Sequence, residues 1–262
     1  MQHSVPYTHP FAWDVRSGMT ETKRTPPSVR TRLPSTVVVT GASGALGSVV
    51  AGRLHDAGVT LVLPTRGDPA GLTTQFPGAQ GVTADITTEA GADAVAATAQ
   101  EAGGADAALL LAGGFGMGDL ASLTPAALNT MMTANVLSAL LPLRALAPQL
   151  KASQGAALGI SASAARGTKA KMGAYGASKA ALEAVLSAAQ AELKADGVHV
   201  GWITPEGTLD TPANRTAMPD ADRSAWVGLD GLTDAIVHWL GQDRRAAASH
   251  LHVAALPDTG GR

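Results

Sequence analysis

A glycine-rich turn between a predicted strand and a predicted helix limits the folds open to this chain more than any other stretch does. It lies in the segment 36–47, TVVVTGASGALG, where four β-favouring residues and a threonine run into Gly41 and two further glycines follow. Apolar residues at helical spacing come next, so the pattern predicts a buried strand, a tight turn and the start of a helix. Such a turn lets the backbone approach a phosphate, and the helix N-terminus behind it offers free N–H groups and a positive dipole end. The spacing G-x-x-x-G-x-G predicts a nucleotide-binding turn, but a tight connection alone has the same pattern.

Short apolar strands alternate with helices from residue 36 onward. Strands are expected at 36–40, 59–63, 81–83, 107–111, 156–160, 198–203 and 250–254. Helices are expected at 45–57, 89–102, 125–150, 174–195 and 232–240. This alternation is typical of βαβ units, so we predict an α/β fold: one doubly wound parallel sheet of about seven strands with helices on both faces.

Composition excludes several classes of function and site. A net charge of −2 over 262 residues gives no field that would attract nucleic acid or a membrane surface. The chain has no cysteine, which excludes disulfides and thiol nucleophiles, and its histidines follow no metal-ligand spacing, so no metal is expected. No apolar run approaches the ~18 residues of a membrane span. We therefore expect a cytoplasmic protein that acts on a small molecule.

The first 35 residues differ from the rest. They are rich in proline, carry more arginine and lysine than acid, and show no periodicity. We expect a disordered leader over residues 1–35 and one folded domain over residues 36–262. A targeting peptide is the alternative, although the segment has neither a clear amphipathic helix nor an apolar secretory core.

Residues after the second and third predicted strands indicate which dinucleotide the fold would bind. In dinucleotide-binding sheets, an acid after the second strand bonds the ribose 2′-hydroxyl of NAD, whereas an arginine accommodates the 2′-phosphate of NADP. Here Thr65 stands at the strand end and Arg66 follows, so NADP is favoured and NAD is the alternative. Asp68 is a weaker candidate for the ribose contact. Asp85, after the third strand, is suited either to accept from the adenine amino group or to cap a turn.

Two further stretches place small or polar residues where a ligand would bind. The fourth strand ends in Ala112, Gly113 and Gly114, and glycines at this end of a strand permit a close backbone approach to a ligand. Asn135 lies within an apolar helical stretch, where a buried amide needs hydrogen-bond partners. Its role is either a structural polar contact or the binding of a water.

The most informative stretch is YGASKAALE, which begins at Tyr175. Tyr175 and Lys179 are four residues apart, so both lie on one face of the predicted helix. An ammonium about 4 Å from a phenol is worth roughly 4 kcal/mol at an effective dielectric constant of about 20. We therefore expect Lys179 to bring the tyrosine pKa from about 10 towards about 7, a useful range for an acid or base. Taken alone, Y-x-x-x-K is also a common solvated pair.

These residues, taken together, resemble the short-chain dehydrogenase/reductase family. The matches, in family order, are TGASGALG at 40–47, Asp85, the AGG of 112–114, Asn135, Tyr175 with Lys179, Pro205 and Thr211. The resemblance runs from residue 36 to the C-terminus. It implies a Rossmann sheet, a nicotinamide cofactor and hydride transfer.

The resemblance also implies roles. Tyr175 would donate a proton to the carbonyl or imine being reduced, Lys179 would lower its pKa and bind the nicotinamide ribose, and Asn135 would hold a water of a proton relay. The implied cofactor contacts are Gly41, Ser43, Gly44, Ala45, Leu46, Gly47, Arg66, Asp85, Ala112, Gly113, Gly114, Tyr175, Lys179, Pro205 and Thr211.

One family feature is missing. The serine that the family has thirteen residues before the tyrosine is Ala162 here. Ser161 and Ser163 flank it, and strict alternation along a strand would point both away from the site. Either could serve if the strand has already ended, and we take Ser161 as the candidate.

Within the family, the chain looks similar to the quinonoid dihydropteridine reductases, which also lack that serine. The resemblance is carried by LAGGFGMG at 111–118 and by TLDTPANRTAMPDADRSAW at 208–226. Thr65 with Arg66 and Asn135 depart from that group, which has an acid after its second strand and no relay asparagine. The segment 209–226 would be a substrate-side lid, where Met218 and Trp226 either line a flat apolar pocket or only pack the lid.

We therefore expect an NADPH-dependent reductase of an activated C=N or C=O, with a quinonoid dihydropterin as one candidate substrate. The alternatives are an alcohol dehydrogenase and a non-catalytic nucleotide sensor. Three cations before the tyrosine, Arg166, Lys169 and Lys171, are a solvated face or contact an anionic substrate. Small residues on the long helices suit close helix pairing, so a homodimer or homotetramer is expected.

Overall fold

The computed structural model describes residues 33–167, 170–243 and 247–255. The expected leader over residues 1–35 therefore lies almost wholly outside the described residues, and so does Lys169. The sheet, the helices packed on it and the candidate site lie within the described residues.

Seven parallel strands form one sheet. They are β1 (Thr36–Thr40), β2 (Thr60–Thr65), β3 (Gln80–Thr83), β4 (Ala107–Leu110), β5 (Ala156–Ile160), β6 (His199–Pro205) and β7 (His250–Val253). Their order across the sheet is β3-β2-β1-β4-β5-β6-β7, and every pairing is parallel. Each predicted strand is present, with ends that differ by no more than two residues.

Eight α-helices accompany the sheet in the described residues. They are α1 (Ala45–Asp56), α2 (Ala70–Gln75), α3 (Glu89–Glu101), α4 (Pro125–Met132), α5 (Ser138–Ser153), α6 (Gly173–Leu193), α7 (Pro212–Ala217) and α8 (Leu229–Leu240). The six-residue helices α2 and α7 were not predicted, because six residues are too few for a helical period to stand out.

The two faces of the sheet carry separate apolar cores. One core joins the sheet to α1, α2 and α8, and Trp239 of α8 is almost fully buried in it. The other joins the sheet to α3, α5 and α6, where Leu146 and Leu186 have no exposed surface. Burial of a leucine of this kind stabilises the fold by roughly 1.5–3 kcal/mol. Helices on both faces of a parallel sheet confirm the predicted doubly wound, Rossmann-type fold.

The predicted helix over 125–150 is interrupted. A π-helical turn, Thr133–Leu137, separates α4 from α5. By length and composition alone, the stretch Pro125–Ser153 is nevertheless long and apolar enough to cross a membrane. This differs from the expectation that no apolar run approaches the length of a membrane span. Part of that apolar character is core packing, because Leu143, Leu146 and Leu150 lie in the second core.

The strand order reverses direction between β1 and β4. Strands β2 and β3 lie on one side of this pair, and β5, β6 and β7 lie on the other. The carboxyl ends of β1 and β4 are tied together, since the Thr40 hydroxyl accepts a hydrogen bond from the N–H of Ala112 at 3.1 Å. In open parallel sheets, ligands bind in the crevice outside the strand ends at such a reversal.

Candidate active site

The turn after β1 has room for glycine only. Gly41 has a φ of +73°, and a Cβ added there would lie 2.9 Å from the nitrogen of Ala112. A Cβ added at Gly47 would lie 2.1 Å from the Gly41 carbonyl oxygen. The N–H of Gly44 closes the turn by donating to the same carbonyl oxygen at 2.9 Å. The turn therefore brings bare backbone to the crevice at the end of β1.

The helix behind this turn begins without a side-chain cap. Gly44 is the N-cap of α1, and the first turn of the helix contains no acidic residue. Ser43, Gly44 and Ala45 are exposed, and Leu46 is partly exposed. The first N–H groups of a helix have no intrahelical partner, so this terminus is suited to a phosphate.

The end of β2 presents an arginine. Arg66 is exposed there, beside the half-buried Thr65. Asp68 is engaged otherwise, because its Oδ1 accepts from the N–H of Ala70 at 2.9 Å at the start of α2. Of the two candidates for the ribose end of a dinucleotide, Arg66 is the one whose side chain is not committed to a helix start.

Asp85 forms a turn after β3. Its Oδ1 accepts from the backbone N–H of Thr87 at 3.0 Å and from the Thr87 hydroxyl at 2.7 Å. These two bonds hold the pKa of the carboxyl below its usual value. The turn interpretation of this residue is therefore confirmed, and the adenine contact stays a prediction.

Asn135 joins the loop after β4 to helix α6. The residue is buried in the π-helical turn, and its amide bonds both the N–H and the carbonyl oxygen of Gly114, each at 3.0 Å. Its Nδ2 also donates to the hydroxyl of Ser178 at 3.0 Å, and that hydroxyl donates to the Tyr175 carbonyl oxygen at 2.7 Å. The side chain is thus a positioning clamp, and both its N–H groups are used; its water-binding role stays a prediction.

Lys179 lies at the centre of the crevice. Its Nζ donates to the Ile160 carbonyl oxygen at 2.8 Å, and a Cβ added at Gly113 would lie 3.6 Å from that Nζ. The side chain is buried, and desolvation lowers its pKa to about 8. One of the three ammonium N–H groups is used by Ile160, which leaves two for other partners.

The expected effect of Lys179 on Tyr175 is not found. Burial raises the pKa of Tyr175 to about 12, opposite to the expected fall towards about 7. The Lys179 Nζ lies 5.9 Å from the centre of the phenol ring, and desolvation outweighs the attraction at that separation. Tyr175 is therefore a neutral phenol at neutral pH.

Ser161 does not face this pair. The residue is buried just after β5, and its hydroxyl donates to the Oε1 of Glu183 on α6 at 2.5 Å. The chain is still extended at Ala162, so the alternation of side chains continues past the last residue of β5. The Ser161 hydroxyl has one hydrogen, and it is donated in the hydrogen bond to Glu183. Ser161 is therefore not favoured as the group that polarises a carbonyl.

The end of β6 leads into the expected lid. Pro205 is the last residue of β6, and the Thr211 hydroxyl caps α7 by accepting from the N–H of Asn214 at 3.1 Å. The segment 209–226 is closed at its base, where Leu209 forms a β-bridge with Val227. Met218 is 37% exposed, so this lid carries an apolar side chain at its surface.

Two residues of the site were missed from the sequence. Phe115 contacts Tyr175 edge to face, with ring centroids 5.0 Å apart. Ser178 links Asn135 to α6, as described above. An aromatic residue directly after the strand-end glycines, and a small polar residue one turn from the tyrosine, were the signals for these roles.

Comparisons with known proteins agree with this fold. The family model for short chain dehydrogenases matches residues 35–222. The chain is similar in structure to an alcohol dehydrogenase from the archaeon Thermococcus sibiricus, complexed with 5-hydroxy-NADP. The identity is 20% over 87% of this chain and 99% of that chain, with a TM-score of 0.74.

Two further solved structures are of the same kind. One is an NADPH-bound short chain oxidoreductase from Pseudomonas aeruginosa PAO1, described as containing an atypical catalytic center. It is 22% identical over 84% of this chain and 95% of that chain, with a TM-score of 0.74. The other is a metagenomic short-chain oxidoreductase in complex with NADP. It is 25% identical over 84% of this chain and 96% of that chain, with a TM-score of 0.70.

Proposed function

This chain belongs to the short-chain dehydrogenase family, and from that membership we propose that it is an NAD(P)-dependent oxidoreductase. More specifically, we propose that it reduces an activated C=N or C=O group with Tyr175 as the proton donor. The observation that carries the proposal is the buried Lys179, held one helical turn from Tyr175 and facing Gly113 at the end of β4. The NADP and NADPH complexes of similar proteins support it.

The residues at the crevice fit a nicotinamide dinucleotide. Side chains are excluded at Gly41 and Gly47, and the uncapped α1 terminus suits the pyrophosphate. Lys179 has two free N–H groups for the nicotinamide ribose, and Arg66 lies at the adenosine end. When bound in reduced form, the nicotinamide supplies a hydride.

The residues of the chain supply the proton. Tyr175, with a pKa raised to about 12, keeps its proton at neutral pH and can give it to the substrate oxygen or nitrogen. Lys179, with a pKa of about 8, is mostly cationic at neutral pH and would stabilise the tyrosinate that remains. Asn135 holds the loop at Gly114 against α6, so that this loop keeps its position relative to Tyr175 and Lys179.

Steady-state turnover tests this proposal. NADPH oxidation is measured with a panel of aldehydes, ketones and imines for the wild type and for Tyr175→Phe. We expect turnover of at least one substrate class, and its loss in the variant while NADPH binding is kept. Turnover that is unchanged in Tyr175→Phe would remove the tyrosine from the mechanism.

We propose NADPH as the preferred cofactor. The support is the exposed guanidinium of Arg66 at the end of β2, together with the engagement of Asp68 in the start of α2. The Arg66→Ala variant is expected to bind NADPH about tenfold more weakly and NADH equally well. Equal binding of both nucleotides by the wild type would contradict this preference.

A quinonoid dihydropterin is the specific substrate that we propose to test. Its support is the sequence likeness at 208–226 and the alanine at position 162, because a pterin imine that is already activated needs no serine. We expect Ala162→Ser to raise turnover of simple ketones and to leave turnover of the pterin unchanged. A wild type that reduces ketones but no dihydropterin would leave the likeness as ancestry only.

The second candidate function is a non-catalytic nucleotide sensor. The observation in its favour is that Ala162 has no hydroxyl and that the Ser161 hydroxyl is bonded to Glu183. Tight NADPH binding without turnover across the panel would support the sensor. The intact Tyr175 and Lys179 support the reductase instead.

A further inference from the structure

An apolar cavity lies at the start of α6, the helix that carries Tyr175. It has a volume of about 270 Å³ and lies between the loop after β4, helix α4 and the first turn of α6. Its walls include Met117, Leu123, Thr130, Met131, Lys171 and Ala174. Most of the lining is apolar, which suits the body of a small organic ligand.

Two residues that line the cavity are direct sequence neighbours of Tyr175 and of its ring contact Phe115. Ala174, which lines the cavity, directly precedes Tyr175 on α6. Gly116, which also lines the cavity, directly follows Phe115, whose ring contacts the Tyr175 ring. Phe115 and Met117 are 60% and 59% exposed, so this loop carries apolar surface that the fold itself does not cover. A molecule in the cavity would contact residues that are the direct sequence neighbours of Tyr175 and Phe115.

One cation belongs to this cavity. In the described part of the chain, Lys171 is the one charged residue that lines it, and no described carboxylate forms an ion pair with it. Its backbone has a φ of +64°, a conformation that a lysine rarely adopts. The Lys171 carbonyl oxygen accepts from the N–H of Gly118 at 2.9 Å, which holds the residue at the cavity wall. Strained backbone of this kind is found preferentially at ligand sites.

The neighbouring cation is engaged elsewhere. Arg166 donates to the Oε1 of Glu206 at 3.1 Å and contacts the His252 ring, and these bonds join the loop after β5 to β6 and β7. Because Lys169 lies outside the described residues, the charge that the structure brings to the cavity is that of Lys171.

We propose that the substrate of the Tyr175 site has an apolar body, which occupies this cavity, and a carboxylate that pairs with Lys171. The inference rests on the proposed function and names the substrate class within it. A single charged group lining the cavity matches the single charge of a carboxylate. Lys171 is then the residue that selects acids over neutral compounds of the same shape.

Calorimetric titration with a matched pair of probes tests the proposal. 2-Naphthoate and 2-naphthamide have the same ring and differ in charge. We expect the full-length protein to bind the acid about tenfold more tightly than the amide. Lys171→Met is expected to bind both equally, and Lys171→Arg to keep part of the preference.

Two controls separate this inference from the proposed function. Lys194→Met removes an exposed cation near the far end of α6 and is expected to keep the full preference. Tyr175→Phe is expected to lose turnover and keep the preference. Because the titrations are run with and without NADP, a failure to bind NADP or to turn over would count against the proposed function alone.

Either of two results would overturn the inference. The first is that the wild type shows no preference, because it binds the acid and the amide equally or binds neither. The other is a preference for the acid that is unchanged in Lys171→Met, since another group would then hold the carboxylate.

Discussion

Gly47 has no space for a side chain, because an added Cβ would lie 2.1 Å from the Gly41 carbonyl oxygen. We expect Gly47→Ala to move α1 away from the turn, to lower the free energy of unfolding by about 2 kcal/mol, and to weaken NADPH binding at least tenfold. Nucleotide titration and denaturant unfolding measure the two effects.

Gly52 is the matched control in the same helix. A Cβ there would meet only a Phe76 ring carbon at 3.9 Å, an ordinary contact. Gly52→Ala is expected to raise stability by about 0.5–1 kcal/mol and to leave nucleotide binding unchanged. If both variants bind NADPH normally, the turn does not hold the pyrophosphate.

The buried Lys179 predicts a pH-dependent stability. In the folded protein the pKa of Lys179 is lowered to about 8, below the pKa of the same lysine in the unfolded chain. Between these two pKa values the folded protein has released the proton, whereas the unfolded chain still holds it. Folding therefore carries a penalty that is complete below pH 8 and is relieved as the pH rises towards about 10.5. We expect Lys179→Met to have a larger free energy of unfolding than the wild type at pH 7. At pH 10 this advantage is expected to be smaller by about 2 kcal/mol.

Unfolding free energies of both proteins at the two pH values measure this difference. The exposed Lys194→Met is the control and is expected to show no such trend. A difference between Lys179→Met and the wild type that does not change with pH would mean that Lys179 is not desolvated.

The sequence predicted the positions of single residues better than it predicted their pKa values. The spacing of Tyr175 and Lys179 was enough to predict that they share a helix face. Their pKa values depend on how deeply the rest of the fold covers them, which spacing does not reveal. Ser161 shows the same limit, because its partner Glu183 comes from another element 22 residues away.

Among the elements, the π-helical turn Thr133–Leu137 carries the clamp at the site. Asn135 in this turn bonds both backbone groups of Gly114. Asn135→Ala leaves those groups without partners, so we expect a loss of about 2–4 kcal/mol in the free energy of unfolding and a lower turnover rate. Denaturant unfolding and steady-state kinetics are the measurements.

Asn129→Ala is the control, because Asn129 is exposed on α4 one element earlier. We expect its effect on stability to stay within about 0.5 kcal/mol. A loss below about 1 kcal/mol in Asn135→Ala would show that water replaces the amide and that the clamp is dispensable.

Helix periodicity predicted one helix where the structure has two and a π-turn. The apolar pattern continues through 125–150, since α4, the π-helical turn and α5 follow one another without a loop between them. Within the π-helical turn Asn135 bonds Gly114, a tertiary contact that helical periodicity does not predict. The alternation of strands and helices, which depends on local patterns, predicted all seven strands of the sheet.

For the whole molecule, we predict a homodimer formed by the outer faces of α4, α5 and α6. Helix α4 contains no buried residue although it is mainly apolar. On α6, a stripe of small residues, Ala180, Ala184, Ala188 and Ala191, is exposed. Such a stripe lets a second helix approach closely.

Sedimentation velocity tests the dimer. We expect a dimer for the wild type and a monomer for Ala184→Arg, since the long cation would prevent close helix contact. Ala97→Arg, on an exposed face of α3, is the control and is expected to remain a dimer. A wild type that sediments as a monomer would reject the assembly.

The proposed function depends on Tyr175 as the proton donor of a nicotinamide-dependent reductase. The most direct measurement is single-turnover oxidation of bound NADPH in a stopped-flow instrument, with wild type and Tyr175→Phe mixed with the same activated substrate. We predict that the rate falls at least about 100-fold in the variant while the NADPH dissociation constant stays the same. Equal rates in the two proteins would contradict the account.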